Sequence, residues 1–299
     1  MPYMTLPRRF LSDSTYFVTR RCSQRKFFLK PTKKTTQIFL YCLGVAAKKY
    51  GVFIHAVIVM SNHYHVVFTD PHAKAAEFYG WVHKYVSKAV NASLGRWENM
   101  WSSEKPSVIT VNEPKTVLDK IIYTICNPVE ARLVARAKHW PGVLLYKASH
   151  SQRVERPKVY FRKDGDMPDE VELMIVRPPQ YADISQEEYE ELIEREVTAR
   201  EEKIHKEMKS KGQSFLGVHE IMRQSHNSSP KSYAKRRGFN PQIAGKNKWL
   251  RLEAIQRHKE FQFEYREAYK RWRKGDRDVV FPAGTYALRV FCGVKCHPG

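Results

Sequence analysis

Two runs rich in β-branched and apolar residues, 52–60 and 65–69, stand on either side of Ser61-Asn62. Runs of strand length joined by so short a polar break read as a β-hairpin. This hairpin constrains everything around it, because a two-stranded ribbon is not stable alone and must be completed by further strands and covered by helices. Residues 15–21 alternate and are rich in aromatic and β-branched side chains, which predicts a strand. Residues 33–50 predict an amphipathic helix ended by Gly51, and 73–94 predict a second helix stopped at Gly95. A short strand is expected at 108–111, followed by a helix over 115–126 that starts near Pro114 and is disturbed by Pro128. Strand, helix, hairpin, helix, strand is the order of an α+β fold: an antiparallel sheet covered by helices, as in ferredoxin-like and RNA-recognition folds.

Beyond this unit, residues 149–184 lose periodicity and gain prolines, which reads as an irregular linker. Ser185 with Glu188 forms a capping-box pattern that opens a long charged helix to about Lys211. Residues 215–299 mix basic clusters (Lys231, Lys235, Arg236, Arg237, Lys246, Lys248, Arg251) with a helix from Lys248 to about Lys274. The expected organisation is a domain over 12–148, a linker over 149–184, and a mainly helical, basic extension over 185–299.

No apolar run approaches the roughly 20 residues of a membrane helix, and residues 1–10 lack the apolar core of a signal peptide. A cytoplasmic protein without membrane partners is therefore expected. The five cysteines are odd in number and have no framework spacing, which fits reduced thiols. Cys292, Cys296 and His297 suggest a metal clip but offer no evident fourth ligand. The 299 residues hold 52 Lys and Arg against 31 Asp and Glu, a net charge of +21. Residues 1–150 account for 22 of those cations and only 8 of the anions. Such an excess favours a polyanion, with DNA and RNA equally served by it.

His63-Tyr64-His65 opens the second hairpin strand. Alternate strand residues share a face roughly 6.7 Å apart, so both imidazoles can reach one ion, although two histidines can equally share an exposed face. Tyr123 and Asn127 are four apart on the later helix. That spacing leaves them about 40° apart around the axis and about 6 Å apart along it, so both project from one side. The competing reading is a core tyrosine with Asn127 as a helix C-cap before Pro128. Tyr85 also lies on a helix after the histidines, but its nearest amide, Asn91, is roughly 240° away. Tyr79 and His83 read as helix-surface or packing residues.

Together these motifs resemble the HUH superfamily of single-tyrosine endonucleases, and within it the REP-associated tyrosine transposases. Val59-Met60-Ser61-Asn62-His63-Tyr64-His65 is similar to the family's hairpin, and Tyr123-x-x-x-Asn127-Pro128-Val129-Glu130-Ala131 to its catalytic helix. The resemblance spans about residues 12–145. It implies that His63, His65 and Asn127 hold Mg²⁺ or Mn²⁺, and that Tyr123 is the nucleophile. The implied activity is cleavage and rejoining of single-stranded DNA near an imperfect hairpin through a 5′-phosphotyrosine, without a nucleotide cofactor, by a monomer or homodimer. Trp97 and Trp101, after Gly95 and Arg96, look like the family's Gly and Trp segment; the Arg that commonly follows is replaced around Ser102 and Ser103. Expected DNA contacts are Arg20, Arg21, Arg96, Trp97, Trp101, Lys235, Arg236 and Arg237. The alternatives are a domesticated, catalytically dormant DNA-binding protein, a metal-dependent hydrolase without a covalent intermediate, and an RNA-binding protein using Tyr16 and Phe17.

Overall fold

The computed structural model describes residues 7–162, 164–232, 242–245 and 247–298. Lys235, Arg236 and Arg237 lie outside the described residues.

Strand β1 (Ser14–Arg21) leads to helix α1 (Lys33–Tyr50), whose first turn is capped by Thr32 accepting from the Thr35 amide and whose end is turned by Gly51 at φ 67°. The hairpin follows as β2 (Phe53–Met60) and β3 (His63–Asp70), then α2 (Ala75–Ser93), β4 (Ser107–Thr110) and α3 (Pro114–Glu130). A two-residue strand, β5 (Leu144–Leu145), completes an antiparallel sheet in the order β4-β1-β3-β2-β5. Its first four strands have the ferredoxin-like arrangement that the element order predicts.

Strand alternation sorts the sheet's residues between two cores. Tyr16, Val18, Tyr64, Val66 and Phe68 pack with α1 and α2. Phe17, Ala56, Ile58, Met60 and Val67 face the opposite way, toward α3. Because the side-chain period is two, the register of β3 decides which face receives His63 and His65, and a one-residue slip would exchange them for Tyr64 and Val66. Antiparallel pairing of Arg21 with His63 and of Thr19 with His65 sets that register from β1.

Helix α3 does not stop before Pro128, as the sequence reading expects, but runs to Glu130. Pro128 falls in its last turn, where it removes only one helical bond. The following amides are still satisfied, Ala131 by the Asn127 carbonyl at 2.9 Å and Leu133 by the Pro128 carbonyl at 2.9 Å. The aperiodic segment after 149 contains a hairpin, β6 (Ser151–Glu155) and β7 (Glu170–Met174). It lies against α1 where Gly44 leaves room; a Cβ there would meet Val171 Cγ1 at 3.0 Å.

The remaining α-helices among the described residues are α4 (Gln186–Ser210), opened by the Ser185–Glu188 capping box, α5 (Val218–Arg223), α6 (Lys248–Arg273) and α7 (Ala287–Cys292). Helix α4 packs on α3 through Tyr189 and Ile193, and buried Glu201 accepts from the Ala137 amide at 2.7 Å and pairs with Arg136 at 2.9 Å. Helix α6 has a small core of its own with Phe261, Tyr265, Val279 and Phe281. Gln242 and Ala244 bond to Thr110 on the outer edge of β4, which covers an otherwise open strand edge. Among the described residues no helix is long and apolar enough to cross a membrane. Cys22, Cys42 and Cys126 are buried free thiols, and Cys292 is exposed.

Candidate active site on the α3 face of the sheet

The hairpin turn delivers His63 directly into β3, and His65 follows on the same face, with the two rings 4.8 Å apart between centroids. Each ring is oriented by a neighbour. His63 Nδ1 lies 2.7 Å from Asn62 Oδ1, and His65 Nδ1 lies 2.6 Å from Thr19 Oγ1. A ring bonded at Nδ1 presents Nε2 outward, the arrangement that fixes metal-binding imidazoles elsewhere. His65 is buried, and its Nε2 is 3.2 Å from Nδ2 of Asn127. Asn127, also buried, lies near enough to His63 to act on its pKa as well. The last turns of α3 therefore bring the amide to both imidazoles.

Burial pushes His63 down to about 4; the Asn127 side chain opposes the shift, and the charges of Arg21 and Arg25 reinforce it. His65 is held well below the ordinary range by burial, then by His63 and Lys120. Both rings are thus neutral at pH 7, the form whose lone pair can ligate a cation. Among the described residues no group of three or more His, Cys, Asp and Glu side chains is arranged to hold a metal, so the donor set here is two imidazoles and one amide. The Asn127 amide can present oxygen rather than nitrogen by rotation about its last bond. Mixed nitrogen and oxygen donors with positions left open suit a divalent cation that also meets a phosphate, so these residues fit the implied ion. The Cys292, Cys296 and His297 clip does not assemble.

Tyr123 stands beside this group, its ring 5.2 Å from that of His65 and 5.9 Å from that of Phe17, edge-on to both. Lys120, one turn earlier on α3, places Nζ 5.1 Å from the Phe17 ring centroid and 5.8 Å from the Tyr123 centroid. Burial lowers the Lys120 pKa, opposed by Asp119. Tyr85 is elsewhere: it packs, partly buried, against the core on the other side of the sheet, its ring 4.2 Å from that of Trp81. Tyr64, between the two histidines, also faces away and bonds His83 Nε2 at 2.7 Å.

The expected DNA contacts divide. Arg21 shares the His63 face through their register and reaches Glu104 at 3.4 Å on the surface. Arg96 lies 3.9 Å over the Phe28 ring, and Trp97 is 90% exposed. Trp101 and Arg20 do not join them. Trp101 is buried and donates Nε1–H to the His83 carbonyl at 2.8 Å. Arg20 points to the opposite face, 3.2 Å from His83 Nδ1, because strand alternation turns it away from Thr19 and Arg21. Tyr16 and Phe17 are buried under helices on their respective faces, which removes the exposed aromatic platform that the RNA-binding alternative requires.

Sequence reasoning missed Lys120 and Arg25, the latter bonded to Ser232 and close enough to bias His63. The spacing of Lys120, Tyr123 and Asn127 along one helix face could have flagged the lysine. Arg25 sits in an irregular turn, where no periodicity identifies it.

No family model and no curated protein matches the chain. Among solved structures, it is similar to a REP-associated tyrosine transposase bound to a REP hairpin, with 19% identity over 45% of this chain and 78% of that one and a TM-score of 0.39. It is also similar to a protein assigned as a transposase from Deinococcus radiodurans R1, with 17% identity over 38% of this chain and 89% of that one and a TM-score of 0.29.

Proposed function

We propose that this chain is a metal-dependent single-strand DNA endonuclease and transposase that cuts and rejoins DNA through a 5′-phosphotyrosine. The observation that supports it best is the meeting of Tyr123, His65 and Asn127 across a helix and a strand, with the His65 Nε2 to Asn127 distance at 3.2 Å and the Tyr123 ring 5.2 Å away. A constellation of phenol, neutral imidazoles and amide on one face has no packing requirement that apolar residues would not meet better.

In this reading, the Tyr123 phenolic oxygen attacks the scissile phosphorus. The Oη–P bond forms, the P–O3′ bond breaks, the 3′-oxygen takes up a proton, and the phenolic proton leaves to solvent. Thr19 and Asn62 hold the two imidazoles in place, and Asn127 ties α3, and with it Tyr123, to the same point. A divalent ion, Mg²⁺ or Mn²⁺, held by His63, His65 and Asn127 would polarise the phosphate and offset its developing charge. Arg21, Arg25, Arg96 and exposed Trp97 would meet the strand's phosphates and bases. The resemblance carried by the two motifs points to hairpin-bearing single strands as the substrate. The phosphotyrosine conserves the bond energy, so the 3′-hydroxyl can reverse the attack without a nucleotide cofactor.

The test is incubation of the purified protein with Mn²⁺ and a pool of hairpin-bearing single-stranded oligonucleotides. A denaturation-resistant protein–DNA adduct is expected. Tight binding with no adduct would instead identify a dormant DNA-binding protein. Cleavage without an adduct would identify a metal-dependent hydrolase.

A further inference from the structure

We propose that the Lys120 ammonium contacts the scissile phosphate beside Tyr123 and stabilises the charge that develops during attack. This inference rests on the nicking reading above and adds a residue that the two motifs do not include.

Lys120, Tyr123 and Asn127 occupy helix positions that fall within an arc of about 60°, so α3 presents cation, phenol and amide in a row. The lysine is not a free surface arm. Its stem is partly buried, with Nζ 5.1 Å from the centre of the Phe17 ring and 5.8 Å from that of Tyr123. An aromatic face attracts an ammonium and restrains it, which reduces the ordering needed when substrate arrives. The charge is also felt at His65. Along α3, Tyr123 therefore lies between Asn127, which meets His65, and the Lys120 ammonium. Attack raises the negative charge on the phosphoryl oxygens, so a fixed cation flanking the nucleophile is stronger in the transition state than in the ground state. Packing alone would be served as well by a neutral side chain of the same length.

The test compares the single-turnover rate of adduct formation, at saturating DNA and with Mn²⁺, for wild type, Lys120→Met and Lys120→Arg. Each is assayed on a native hairpin oligonucleotide and on one carrying a neutral methylphosphonate at the scissile position. On native DNA, Lys120→Met should be slower by about 10²-fold, typical of losing one transition-state contact, while Lys120→Arg should recover most of that loss. On the methylphosphonate, which is neutral before attack and carries one charge fewer during it, the deficit should narrow to about threefold or less. An equal deficit on both substrates would reduce Lys120 to a structural role and overturn the proposal. So would a native rate in Lys120→Met. In both of those outcomes wild type still forms its adduct and the nicking reading stands; no adduct from wild type removes that reading, and the proposal with it.

Discussion

Nδ2 of Asn127 lies 3.2 Å from Nε2 of His65 across 62 residues of sequence. This contact fastens the end of α3 to the start of β3, so the helix that bears Tyr123 cannot shift without disturbing the histidine pair. It also separates a structural role for Asn127 from a chemical one, because its backbone carbonyl, not its side chain, closes the helix to Ala131.

Asn127→Ala should therefore keep the helix and lose the chemistry. Adduct formation is expected to fall by about 10²-fold or more, with affinity for the hairpin oligonucleotide within about threefold of wild type. His63→Ala should behave alike. A helix-capping role would instead lower the melting temperature and leave the adduct rate unchanged.

Tyr64→Phe makes the opposite case at the centre of the motif. The Tyr64 hydroxyl bonds buried His83 on the other face of the sheet. Its loss should cost about 1–2 kcal/mol in urea unfolding, since it strands a buried ring nitrogen, while adduct formation stays within about threefold. A large kinetic defect at unchanged stability would contradict the assignment of faces.

Acid should destabilise the fold through its buried neutral histidines. His55 bonds the Val176 carbonyl at 2.9 Å and Thr69 Oγ1 at 2.7 Å, and burial lowers its pKa from 6.5 to about 4, opposed by the Val176 bond. The unfolded chain takes up a proton below about 6.5 that the folded chain refuses until about 4. Stability from this group is thus full above pH 6.5 and is lost as pH falls through that window, on the order of a few kcal/mol. Unfolding followed by circular dichroism with a chelator present should show this slope, shallower in His55→Gln. An unchanged slope in the variant would place the acid sensitivity elsewhere.

Glu201 ties α4 to the segment after α3. It is 4% exposed, and its removal strands both the Ala137 amide and Arg136. Arg136 is 42% exposed, which lets water replace part of the loss. Glu201→Ala should destabilise by about 2 kcal/mol, less than for a fully buried pair. Chemical denaturation measures it, and a change under about 0.5 kcal/mol would mean that α4 contributes little to holding α3.

The elements that were legible in the sequence are those whose pattern is local. Helix α1 is found between its expected limits, because Thr32 and Gly51 punctuate it and its apolar positions repeat regularly. The β2–β3 hairpin follows from its two apolar runs. Hairpin β6–β7 was not legible, since each strand has five residues and buries only one or two of them, Val154 on β6 and Val171 and Leu173 on β7. The extent of α3 was misread at Pro128, where position within the last turn decides the cost of proline. In the site, spacing placed His63 with His65 and Tyr123 with Asn127. Only tertiary packing brings α3 over the sheet face that holds the histidines, and only strand register turns Arg20 away from it. Lys120 was overlooked because a single lysine on an amphipathic helix ordinarily marks its solvated side.

Whether Tyr123 is the nucleophile is decided by one comparison: covalent adduct formation with Mn²⁺ and a hairpin-bearing single strand by wild type, Tyr123→Phe and Tyr85→Phe. Only the phenolic oxygen is removed in each variant, so folding and DNA affinity should be preserved. Tyr123 adjoins His65 and lies on the helix face of Asn127, whereas Tyr85 packs behind the sheet with Trp81. Wild type and Tyr85→Phe should form the adduct, and Tyr123→Phe should form none. An adduct that survives in Tyr123→Phe would assign the attack to another residue.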